Sequence, residues 1–263
     1  MAEAGLSLGF SDFTQAVGEF MGLAADSDDW STGDEAKVER FVQAGYRRFL
    51  RPPSIPWRGA TLVHAWSFLY PTATVALLEG DADIDCPDDF GGLEGNMVYD
   101  SDENQSPGNI EKRPVGQVET LIQSSADSPG PPVYVAVRAK AGTGTTGQRF
   151  EFLFWPISDT DRTAHYRYVA LHDQLSTSLP YPIGGEPHAE TILAFCLAIA
   201  ELRTRDGKGA MWDDAMEQLA SSVAYDLEHH TPDSVGLNLD VGTAIARLRH
   251  PPVIATVEGN YTP

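Results

Sequence analysis

Between positions 133 and 171 apolar side chains recur with a period of two. Val133, Val135 and Val137 alternate with Tyr134, Ala136 and Arg138, and Phe150, Phe152 and Phe154 alternate with Glu151, Leu153 and Trp155. That period sends successive side chains to opposite faces of an extended chain, and it predicts strands over 133–139 and 149–155 joined by a glycine loop. A Trp155-Pro156 corner leads to a third strand over 165–171. Weaker strand signals lie at 74–78, 96–99 and 117–123.

Either side of this region the period changes to that of a helix. Phe13, Val17, Phe20 and Met21 predict a helix over 10–22 that Ser11 can cap. Val38, Phe41, Val42, Gly45, Tyr46 and Phe49 predict another from Thr32, with Thr32 and Glu35 at capping-box spacing, and Arg51-Pro52-Pro53 ends it. A third is expected over 60–69, carrying Trp66 and Phe68. Two more are expected over 187–202 and 209–229, and a short one over 241–248. After Pro251-Pro252 the chain reads as an extended arm with little capacity to bury itself.

The expected fold is therefore α+β: a helical bundle built from the N- and C-terminal segments, an inserted antiparallel β-sandwich-like domain or curled sheet, and an extended C-terminal arm. The expected boundaries are 1–80 for the N-terminal helical part, 81–180 for the β-rich insertion, 181–250 for the C-terminal helical part and 251–263 for the arm. A chain of 263 residues with 42% hydrophobic content can fill such cores.

Charge narrows the function classes. The formal net charge of −20 opposes high-affinity binding to a phosphate backbone, which depends on neutralising phosphates with Lys and Arg. Two cysteines in unrelated contexts, Cys86 and Cys196, do not make a disulfide framework. The N-terminus lacks the basic flank and apolar core of a signal peptide, and no apolar run reaches the length of a membrane span, so a soluble, non-exported chain with no membrane partner is expected.

Local motifs offer little chemistry. The 142–147 segment fits the dinucleotide-binding pattern G-x-G-x-x-G, but a strand follows it where that site needs a helix N-terminus. His188-Ala189-Glu190 matches the first half of a zinc deaminase signature and lacks the downstream cysteine pair, so Glu186–Glu190 with Pro187 reads as an acidic first helical turn. Asp81, Asp83 and Asp85 alternate like the start of a calcium loop, yet Cys86 and Gly92 occupy its essential glycine and glutamate positions. His229-His230 reads as a helix C-terminus. No catalytic residue, cofactor site or metal site is assigned.

The ordered segments DEAKVERFVQAGYRRFL, HAWSFL, CPDDFGGLEG, VYVAVRAK, QRFEFLFWPISDTD, HYRYVAL and PHAETILAFCLAIAEL resemble the head-to-tail adaptor, or connector, proteins of tailed bacteriophages, of the tail tubular protein A type. The resemblance runs from about Phe10 to His230, and the Pro-Asp-Asp-Phe and Trp-Pro turns are its most distinctive parts. It implies a non-enzymatic virion protein, assembled in the host cytoplasm. Its place is a homo-oligomeric ring, a dodecamer, in the neck between capsid and tail. The implied partners are the portal protein, a tail nozzle or tail tube protein and tail fibres, with DNA passing through the bore without sequence-specific binding. It also implies that the helices form the ring wall, that the sheet faces outward or tailward, and that the C-terminal arm reaches the portal.

On this reading Val253, Ile254, Val257 and Tyr261 form the portal-binding arm, and Trp66, Trp155 and Trp212 are candidate interface anchors. Acidic residues lining a bore would repel DNA and let the genome slide during ejection. The alternative from another class is a soluble hydrolase or small-molecule binding protein with a site in the β-rich domain, built from His165, His172, Asp159 and Asp161.

Overall fold

The computed structural model describes residues 5–57, 60–100, 108–124, 129–142 and 147–229. The arm residues Val253, Ile254, Val257 and Tyr261 and the helix expected over 241–248 lie outside these. Met1–Asp226 forms one compact unit and Leu227–Pro263 a second, of which Leu227, Glu228 and His229 are described.

The chain is mixed α+β. It begins with α1 (Phe10–Phe20) and α2 (Thr32–Leu50), followed by a small antiparallel pair, β1 (Ile55–Trp57) and β2 (Ala60–Leu62). Seven strands and one helix come next: β3 (Thr72–Leu77), β4 (Asp83–Asp85), β5 (Phe90–Tyr99), β6 (Asn109–Lys112), α3 (Val115–Ser124), β7 (Tyr134–Ala139), β8 (Phe150–Trp155) and β9 (Arg162–Ala170). The helices α4 (Ala189–Arg205) and α5 (Ala210–His229) follow.

Strands β3 to β9 form one seven-stranded sheet in the order β3-β9-β5-β6-β7-β8-β4. Neighbours are antiparallel except β6 and β7, which are parallel. The loop containing Gly142 and Gly147 joins antiparallel β7 to β8, so a strand does follow the glycines. Val135, Phe152 and Phe154 share one apolar core with Phe90, Met97, Ile110, Tyr166 and Tyr168. Ala136 and Leu153, on the opposite face of the same strands, are covered by Val118 of α3. Burial of both faces explains why β8 is so apolar along its length.

A separate core joins the helices. Phe13 and Val17 of α1, Val38, Val42, Tyr46 and Phe49 of α2, Ile192 and Phe195 of α4, and Leu219 and Val223 of α5 are buried together. Helices α2 and α4 cross where Gly45 meets Cys196: a Cβ at Gly45 would lie 2.6 Å from the Cys196 backbone, so only glycine permits this approach.

Two expected elements are corrected. Residues 117–123 belong to α3 and not to a strand, because Val115, Val118 and Ile122 lie on one helical face against β7 and β8. The helix expected over 60–69 is instead β2, an extended segment and a 3-10 turn, Ser67–Leu69. At the start of α2 the cap is Ser31, whose hydroxyl accepts from the Asp34 amide, and not Thr32. The N-cap of α1 is Gly9, whose amide donates to the Asp12 carboxylate, in place of a Ser11 cap.

Candidate functional site

The residues of the hydrolase alternative are not brought together. His165 lies midway along β9 beside Asp100 at 3.3 Å, while His172 follows the strand's far end. Asp159 is paired with Arg162 and Asp161 accepts from the Glu79 amide, both in the turn that precedes β9. From His165 to the strand's end at Ala170 the chain already runs roughly 17 Å before it reaches His172. Among the described residues no three His, Cys, Asp or Glu side chains converge to hold a metal ion. No helix among them is long and apolar enough to cross a membrane.

A Ser, a His and an Asp do meet in the helical core, but in the wrong order for nucleophilic catalysis. Asp226 is hydrogen-bonded to His64 Nε2 at 2.7 Å and accepts from the Ser67 hydroxyl and amide. In a catalytic triad the imidazole stands between hydroxyl and carboxylate; here the carboxylate stands between the other two. The cluster ties the segment before β3 to α5. Above it His188 lies among the rings of Phe49, Trp66, Phe68 and Tyr225, with its buried Nδ1 unpaired. Burial lowers the His188 pKa, against the opposing pull of Asp226, and favours the neutral ring. Cys196 is fully buried on the Val42 carbonyl with its thiol pushed up to about 12 by desolvation, and among the described residues no group able to hold a metal ion includes His188.

The three tryptophans occupy different settings. Trp66 has no accessible surface, and its indole N–H donates to the Phe49 carbonyl at 2.7 Å. A side chain so placed makes its contacts within its own chain. Trp155 is half-buried and stacks on Tyr134 at 5.9 Å, and Arg113 lies over the other partner's ring at 5.1 Å. This stack borders a surface groove of about 500 Å³ that runs between α3 and β7.

Trp212, at the start of α5, is half-buried and has two cations near its ring. The Lys208 ammonium lies 4.0 Å and the Arg48 guanidinium 5.5 Å from its ring centroid. With Arg47, Arg51, Ala44, Ile199 and Leu202 these residues line a groove of about 420 Å³. Arg47, Arg48, Arg51 and Lys208 are exposed, and none forms an ion pair among the described residues. On a chain with net charge −20 this concentration of unpaired positive charge stands apart. Sequence reasoning picked out Trp212 and missed the arginines, because the fold alone brings the end of α2 to the turn before α5.

The groove is held by buried polar contacts. Glu201 is 3% exposed at the end of α4, and its carboxylate accepts from the Gly209 and Met211 amides at 3.1 Å, satisfying free donors in the first turn of α5. Cations lining a cleft beside an aromatic ring can recognise carboxylates or phosphates.

Comparison with curated proteins finds no match. The model of one protein family, described as SU10 adaptor protein, matches residues 9–236 and so takes in both hydrophobic cores. The chain belongs to the SU10 adaptor protein family, which makes it a bacteriophage structural adaptor.

Proposed function

We propose that this protein is a non-enzymatic ring adaptor seated between the portal and the tail, of the kind implied by its likeness to tail tubular protein A. The carrying observation is the family match over residues 9–236. Copies form a dodecameric ring assembled in the host cytoplasm, a tail nozzle or tail tube protein docks below, and the genome passes through the centre. Segments 1–80 and 181–250 build the wall, and 81–180 faces outward or tailward. The negative charge of each copy, repeated around the ring, repels phosphates and keeps the genome from adhering to the bore.

Val253, Ile254, Val257 and Tyr261 supply the contact with the portal. Trp155 and Trp212 retain accessible surface and serve as anchors toward neighbouring copies or tail proteins. Trp66 supports this surface from within. The test is co-sedimentation with purified portal rings. The wild-type chain should be captured, and V253D/I254D should be lost from the portal fraction with an unchanged circular dichroism spectrum. Full capture of that variant would remove the arm's role, and failure of the wild type to bind would remove the adaptor reading.

A further inference from the structure

The two ends of α2 carry opposite charge: the approach and first turn are acidic and the last turn is basic. At its beginning Asp26, Asp28, Asp29 and Glu35 are exposed, and none forms an ion pair among the described residues. At its end are Arg47, Arg48 and Arg51, joined by Lys208 in the Trp212 groove. Nineteen helical residues separate these ends by roughly 28 Å. That distance exceeds the screening length of about 8 Å in physiological salt, so the two ends do not neutralise each other within one chain. The helix dipole favours acids at a helix start and bases at its end. It does not account for Asp28 and Asp29, which precede the helix in a short turn that Asp26 caps, or for Lys208 and Trp212, which come from a different part of the chain.

Opposite charges at opposite ends of a rigid element are complementary between copies. A contact of this kind is heterologous: it uses two different patches, repeats from copy to copy, and closes into a ring when the rotation allows. We propose that the groove of Arg47, Arg48, Arg51, Lys208 and Trp212 receives the acidic 26–35 segment of a second copy of this chain, joining copies head to tail. The proposal rests on the ring-adaptor reading and names the surface that makes the ring. Carboxylates entering the groove would meet guanidinium groups able to bind them in pairs, beside an aromatic ring that excludes water.

The experiment uses two charge-reversed full-length chains, R47E/R51E and D28K/D29K, and measures the mass added to purified portal rings by mass photometry. Neither pair of residues has a side-chain bond among the described residues, and circular dichroism checks that both variants fold. Each variant alone should add far less mass than wild type, because its altered end repels the unaltered end of the next copy. An equimolar mixture should restore the wild-type mass, since alternating copies present one reversed and one native contact, both complementary. Variants that each assemble as wild type overturn the head-to-tail contact and leave the ring reading intact. A mixture that fails to rescue overturns it too. Retention of a short DNA duplex by wild type, lost in R47E/R51E, also overturns it in favour of phosphate binding. Wild type that adds no mass defeats the adaptor reading itself.

Discussion

The rings of Phe152 and Tyr166 meet edge to face with centroids 5.2 Å apart, although three strands stand between β8 and β9 in the sheet. In a flat sheet four strand spacings would hold them roughly 19 Å apart. The sheet therefore curls until its second and sixth strands touch through their side chains, and Phe90 completes the junction against Phe152 at 5.3 Å. Truncating Phe152 to alanine should destabilise the chain by about 3–5 kcal/mol. A double-mutant cycle with Tyr166→Leu in urea should return a coupling of about 0.5–1.5 kcal/mol, whereas strict additivity would mean that the two rings do not meet in solution.

Glycine at position 45 is required by the approach of α4. Gly45→Ala would drive a methyl group into the Cys196 backbone and should cost about 1–3 kcal/mol or more. Gly33→Ala, in the first turn of α2 with only the Ser31 hydroxyl 3.7 Å away, should be neutral or stabilising. Thermal unfolding of the pair checks the close helix crossing directly, and equal melting temperatures would contradict it.

Much of this was legible in the chain. The alternation in β7 and β8 survives burial of both faces because the inner positions are Val and Phe while the outer positions carry Ala136, Leu153 and the Arg138–Glu151 pair. The same rule failed at 117–123, where Val118, Thr120 and Ile122 suit a strand, but Val115, Val118 and Ile122 at helical spacing cover β7 and β8. Residues 60–69 misled for a different reason: His64 and Trp66 are fixed by Asp226 and by the Phe49 carbonyl, partners that no local pattern reveals. The Trp212 groove was hidden likewise, since its cations come from two distant segments.

Glu201 links α4 to α5 by accepting two amides. Glu201→Ala would orphan both and should destabilise the chain by about 1–2 kcal/mol, with faster hydrogen exchange at the Gly209 and Met211 amides. Exchange unchanged at these positions would show that solvent already satisfies them.

The neutral His188 ring gives stability a pH dependence. Its folded pKa lies below the unfolded value near 6.5, so the unfolded chain takes up the proton first. The contribution is fully present above about pH 6.5 and is lost as pH falls toward the depressed folded pKa. His188→Phe, which keeps an aromatic ring among Phe49, Trp66 and Phe68, should reduce the fall in melting temperature between pH 7 and 5. An identical slope in wild type and variant would place the acid sensitivity elsewhere.

The central claim is that copies of this chain assemble as a ring on the portal. Mass photometry of the purified chain, alone and then mixed with purified portal rings, tests it most directly. The account predicts a portal-dependent jump to one discrete complex whose added mass equals a full ring of copies. A portal peak of unchanged mass beside a free monomer would contradict it.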